Sequence, residues 1–156
     1  MFKVRFALIL MAFLLLWGCQ QEVNLDSEAL AHKLLAEVIS EEMLEIRSDR
    51  IGNFYPGLND ALAGGMISAS RVYLCAEAVL ADEIAIFQAK DARSATQVKT
   101  ALNAHYQERI AIYADYAPYE AERIKKRAFV EQGRWLVTVI CDEPTRATEI
   151  IKAAFK

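Results

Sequence analysis

The chain has 156 residues, 54% of them hydrophobic, with 18 Lys and Arg against 21 Asp and Glu for a net charge of −3. That length suits one domain with a substantial core. The acidic balance argues against nucleic acid as a partner, because clustered cations must displace its counterions, and it equally disfavours electrostatic docking on anionic lipid headgroups.

Residues 1–18 read as a secretory leader. Lys3 and Arg5 precede an unbroken apolar stretch from Phe6 to Trp17, and Gly18 stands before Cys19. The stretch is too short to span a bilayer comfortably as a permanent helix. The string Leu16-Trp17-Gly18-Cys19 resembles a bacterial lipobox, although Trp17 is larger than the residue that usually fills its slot. The resemblance implies that Cys19 is diacylated, with palmitate-type chains, and becomes the mature N-terminus. One acyl chain binds only marginally, whereas two hold a protein stably. The leader takes two basic residues and no acidic ones with it, so net charge falls from −3 to −5. Residues 19–25 are then the lipidated cysteine and a short tether, and 26–156 a single α+β domain. The expected location is the outer face of the cytoplasmic membrane.

Asp26 or Ser27 caps a first helix, in which Leu30, Leu34, Leu35, Val38, Ile39, Met43 and Ile46 recur at helical spacing to about Arg47. Its other face is mainly acidic, which favours packing on the domain's own sheet over lying on a membrane. Ser48 to Gly65 is turn-rich, with one helical turn over Leu58–Ala63. Met66–Ala76 and Glu83–Gln88 read as an antiparallel strand pair joined by Glu77–Asp82. Asp91 caps a long helix from Ala92 to about Ala117, which Pro118 ends. Two more strands follow, Ile124–Glu131 and Arg134–Cys141, around a Gln132-Gly133 turn that sets Val130 opposite Trp135. Asp142 caps a last helix carrying Pro144 in its first turn. The order α-β-β-α-β-β-α predicts an α+β fold: two hairpins form a four-stranded antiparallel sheet, with helices covering one face. Cys75 and Cys141 both fall in strands. Export would permit a disulfide between them; otherwise they are two buried thiols acting as small hydrophobes.

The stretch Asp82-Glu83-Ile84-Ala85-Ile86-Phe87-Gln88-Ala89-Lys90-Asp91 resembles the "ADEIAVF…AKD" segment of a family of lipoproteins from Gram-positive, Firmicutes-type bacteria. That family carries domain of unknown function 4358. The similarity continues through Tyr116-Ala117-Pro118-Tyr119-Glu120, the Gly133-Arg134-Trp135-Leu136-Val137 hairpin and the terminal helix, spanning Leu25 to Phe155. It implies a location and an architecture, and no mechanism.

Candidate chemistry is sparse. Asp82 and Glu83 adjoin at the start of a strand, where neighbouring side chains point to opposite faces and read as a solvated approach to the sheet. Asp142-Glu143 reads as helix capping. His32 and His105 have no companion ligands at helical spacing, so no metal or cofactor is expected. Ser68 and Ser70 share a parity but lack a base nearby, and no nucleophile elbow or phosphate-cradling loop is present. The most suggestive cluster is Tyr106, Arg109, Tyr113, Tyr116, Tyr119 and Arg123, since exposed tyrosines beside arginine suit protein or glycan contact. The alternative is that Tyr113 and Tyr116 pack on the sheet. The basic run Arg123-Ile124-Lys125-Lys126-Arg127 reads as a charged strand edge. Together these features predict a lipid-anchored binding or scaffold module with an envelope protein or glycan partner. The competing expectation is a cell-envelope hydrolase whose carboxylates are gathered by folding.

Overall fold

Asp26 starts the first helix, α1 (Ser27–Glu37), by accepting a hydrogen bond from the Ala29 amide at 2.9 Å. The structure, a computed structural model, describes residues 23–155. The leader, Cys19 and most of the tether therefore lie outside the described residues. Helix α1 stops at Val38, where φ is −135°, well before the expected Arg47. Val38, Ile39 and Ser40 are weak helix formers, and Met43 and Ile46 fit a strand as readily as a helix. They form a fifth strand, β1 (Met43–Ile46), which pairs antiparallel with β2 (Ile67–Cys75) from Met43 opposite Cys75 to Ile46 opposite Val72. The sheet is thus five-stranded, not four-stranded. Between β1 and β2 run two 3-10 turns, Ser48–Arg50 and Pro56–Leu58, and two short helices, α2 (Ile51–Phe54) and α3 (Asn59–Ala63).

Strand β3 (Glu83–Ala89) follows, then α4 (Ala92–Tyr116), capped by Asp91 accepting from the Ser94 amide at 2.7 Å. Pro118 ends α4 as expected, but it also opens a further helix, α5 (Pro118–Lys125), over residues whose last part reads as strand in the sequence. Proline's fixed φ is already helical and its missing N–H costs nothing in a first turn. The last elements are β4 (Ala128–Gln132), β5 (Trp135–Ile140) and α6 (Pro144–Ala154), whose N-cap is Glu143 rather than Asp142. The β4–β5 register places Gln132 opposite Trp135 and Val130 opposite Val137. The two-residue loop is therefore Gly133-Arg134, one step later than expected. Gly133 alone takes positive φ (60°), which suits the first loop position of a type II′ turn.

The strands are ordered β1-β2-β3-β5-β4, all antiparallel. Helices cover both faces rather than one. Ala85 and Phe87 of β3 and Leu136 and Ile140 of β5 pack with Leu102 and Tyr106 of α4 and Ile124 of α5. The alternate residues Ile84, Ile86, Val137 and Val139 pack with Leu30 and Leu34 of α1 and Ile150 and Ile151 of α6. Two covered faces explain why β5 is buried at every position, a pattern of continuous rather than alternating hydrophobicity. The two cysteines of the described residues are free thiols. Glu83 lies opposite both Leu74 and Ile140, so β3 stands between the strand ends that carry Cys75 and Cys141. Two inter-strand steps separate them by about 10 Å, whereas a disulfide needs Cα atoms within about 7 Å.

This topology makes β3 and β5 the most protected strands and β1 an edge. Amide hydrogen exchange read by NMR is expected to be slowest over Ile84–Phe87 and Leu136–Val139 and much faster at Leu44 and Glu45. Protection of Met43–Ile46 equal to that of β3 would contradict the edge position.

Candidate functional site

The step into β3 brings two carboxylates out of water. Glu83 is fully buried on the α4 side of the sheet, and Asp82 is only 4% exposed. Neither is solvated, which corrects the expectation from sequence. Each has its own arginine. Glu83 accepts from Arg109 and from the hydroxyls of Tyr106 and Tyr55, the last at 2.6 Å. Arg123 grips Asp82 with two nitrogens, at 2.8 and 2.7 Å, and reaches Glu120 at 2.7 Å and Asp142 at 2.8 Å. Glu120 in turn accepts from the Ala81 amide at 2.9 Å. Burying a charge is tolerable only with such partners.

Helix α4 supplies most of the site because residues three and four apart share a face. His105, Tyr106, Arg109 and Tyr113 thereby line up toward the sheet. Tyr55 arrives from the chain just after α2. Burial and the Glu83 charge push the Tyr55 and Tyr106 phenols well above their ordinary values, so both hydroxyls keep their protons to donate. Arg127 lies over the Tyr106 ring, 4.5 Å from its centre. Tyr113 shares its hydroxyl proton between the carbonyls of Ala78 and Leu80, at 3.1 and 3.2 Å, and so ties the β2–β3 loop to α4.

Above this polar floor lies a cavity of about 360 Å³. Its floor includes Tyr55, Glu83, His105 and Arg109; Leu44 and Ile46 of β1, Leu74 of β2, Phe54 and Leu80 make apolar walls. His105 is 8% exposed and stacks on Tyr55 with ring centres 4.4 Å apart. Burial lowers its pKa. Leu44 and Phe54, which line the cavity, are themselves exposed, and elsewhere on the surface so are Val79 of the β2–β3 loop and Ile112 and Tyr116 of α4. Among the described residues no group of three or more His, Cys, Asp or Glu is placed to hold a metal.

The residues expected to form a partner surface divide. Tyr106 and Tyr113 are buried and Arg109 and Arg123 half-buried, so they build the interior instead. Tyr116 and Tyr119 are exposed, and Tyr116 lies on Tyr113 with ring centres 5.1 Å apart. The basic run is not a strand edge: Arg123 serves Asp82, Lys125 pairs with Glu122 at 2.5 Å, and Arg127 covers Tyr106. His32 is an exposed helix residue 3.9 Å from Glu28, and Ser68 donates to the Gln88 carbonyl at 3.1 Å. Sequence reasoning missed Glu83, Tyr55 and His105 as one cluster. The available signal was a glutamate opening an otherwise apolar strand, with arginine and tyrosine at α4 positions facing it.

The buried imidazole makes stability depend on pH. Because the His105 pKa is lowered in the fold, the folded chain binds fewer protons than the unfolded one as pH drops below about 6.5. Its contribution is complete above that pH and is lost as pH falls. His105→Phe keeps the ring and removes the proton site, so the variant is expected to lose less stability than the parent between pH 7 and pH 5. Urea unfolding across that range checks this; parallel curves would contradict it.

A protein-family model described as Domain of unknown function (DUF4358) matches residues 37–141, well over half of the chain. No curated protein and no solved structure matches the chain. The matched span runs from the end of α1 to the end of β5 and holds every residue of the cavity and of both arginine–carboxylate clusters except Asp142. The chain is therefore a member of the DUF4358 family.

Proposed function

We propose that this chain is a lipid-anchored, extracytoplasmic binding module that presents its cavity away from the membrane. The anchor rests on the leader-like residues 1–18 and on Cys19 in its lipobox-like setting. Among the described residues no helix is long and apolar enough to cross a membrane, so attachment on this reading falls to acyl chains on Cys19.

The observation that carries the proposal is where the chain enters the domain. The Val23 carbonyl accepts from the Trp135 indole at 3.2 Å, beside Gly133 in the β4–β5 turn. That turn lies at the Ala89 end of β3, where the Ala89 amide donates to Arg134 at 2.7 Å. The cavity lies at the Glu83 end. The seven residues of β3 put about 20 Å between them. A tether only a few residues long, running from Cys19 to Val23, holds the first end close to lipid and turns the cavity outward.

Binding is favoured over hydrolysis by the state of the carboxylates. Asp82 and Glu83 both line the cavity, yet each is held by its own arginine. Neither is free to work as an acid or base. A scaffold role, with Tyr116 and Tyr119 meeting an envelope partner, is compatible with the same orientation.

Expression of the full chain in a bacterium with an alkyne fatty acid tests the anchor. The processed protein is expected to carry the label and resist carbonate extraction, and Cys19→Ala to lose both. Unchanged label and retention in Cys19→Ala would overturn the reading.

A further inference from the structure

We propose that the cavity is a site for an uncharged, mainly aromatic or branched-aliphatic small molecule bearing one carbonyl or hydroxyl group, with His105 as the residue that recognises it. The ligand class deepens the binding role proposed above and rests on it for its biological setting, while the chemistry of the site stands independently. Size comes first. A volume of about 360 Å³ lies within the range of small-ligand pockets, which are mostly apolar with a few convergent polar groups. Here Leu44, Ile46, Phe54 and Leu74 supply the apolar walls.

The polar group is His105. Its ring lines the cavity and is more than nine-tenths buried, yet neither nitrogen makes a hydrogen bond with any described residue. The cavity reaches the ring, so the imidazole offers hydrogen bonds there that no described protein group takes. The tyrosine hydroxyls nearby are already engaged. Tyr55 and Tyr106 spend their hydroxyls on Glu83, and Tyr113 spends its own on the β2–β3 loop. Burial keeps His105 neutral near pH 7, so it offers one N–H donor and one acceptor nitrogen. A carbonyl or hydroxyl meets it.

Charge decides against ions. Glu83 is matched by Arg109 and Asp82 by Arg123. An anion would join four carboxylates, Asp82, Glu83, Glu120 and Asp142, that share only Arg109 and Arg123. A cation would meet Arg109. Either would bear a desolvation cost that an uncharged ligand avoids. A bilayer acyl chain is disfavoured because, on the proposed anchoring, the cavity lies at the far end of the sheet from Val23.

The test uses the full chain in nonionic detergent, with matched micelles as blank, and 19F NMR linewidths of 4-fluoroacetophenone. Saturable broadening above the blank is expected. His105→Phe should weaken it by about fivefold or more, the order expected for one hydrogen bond. Leu44→Trp, which fills the mouth from a half-exposed position, should abolish it with the melting temperature retained. The charged analogues 4-fluorobenzoate and 4-fluorobenzylammonium should bind several-fold more weakly. No saturable broadening, equal broadening by both variants, or a charged analogue binding as tightly would each overturn the assignment. Fatty-acid labelling at Cys19 reads the anchor separately, so a ligand-binding chain without lipid, or a lipidated chain that ignores the ketone, shows which of the two proposals has failed.

Discussion

A carboxylate taken wholly out of water must be surrounded by donors, and Glu83 is the point at which that demand shapes this fold. It opens the central strand on the face that α4 covers. Three donors from two separate parts of the chain converge on it: Tyr55 from the turn-rich segment, and Tyr106 and Arg109 from α4. Those contacts fix the distance between the sheet end and the helix. They also fix Tyr55 under His105, and with it the floor of the cavity. Next door, Asp82 does the same for α5 through Arg123. The two adjacent residues thus dock two helices.

The apolar body of the protein follows from ordinary patterning. β3 and β5 are covered on both faces, so their side chains divide between two cores, one under α4 and α5 and one under α1 and α6. The cavity arises where this cover runs out. Strand β1 extends the sheet beyond the reach of α4, leaving Leu44 and Ile46 facing a gap that the short segment around Phe54 only partly closes. A polar floor under apolar walls is the consequence, with Leu44 and Phe54 exposed beside it.

Much of this was legible in the sequence. Asp26 and Asp91 as caps, the length of α4, the stop at Pro118 and strands β2, β3 and β5 all follow from local signals that the tertiary structure respects. What failed had a common cause. Met43–Ile46 and Ile124–Lys125 are short apolar–polar stretches in which helix and strand periods coincide, and partners distant in sequence chose between them. The second helical layer was hidden because two-sided burial shows only in how continuously hydrophobic β5 is. The site was least legible of all. Tyr106, Arg109 and Tyr113 stood out as a group, but their pattern did not show whether they face water or a buried carboxylate. Only the fold, which brings residue 83 to residue 109, decides that they point inward.

The central claim is that Glu83 and Arg109 act as one unit. A double-mutant cycle with Glu83→Gln, Arg109→Met and the pair, followed by urea unfolding, tests it most directly. The account predicts that each single change costs about 3–5 kcal/mol, because each strands a buried partner. The double variant should be less destabilised than the two losses added together, with a coupling of about 1–3 kcal/mol. Small, additive losses would contradict it, and would mean that the cavity floor is held by something other than this pair.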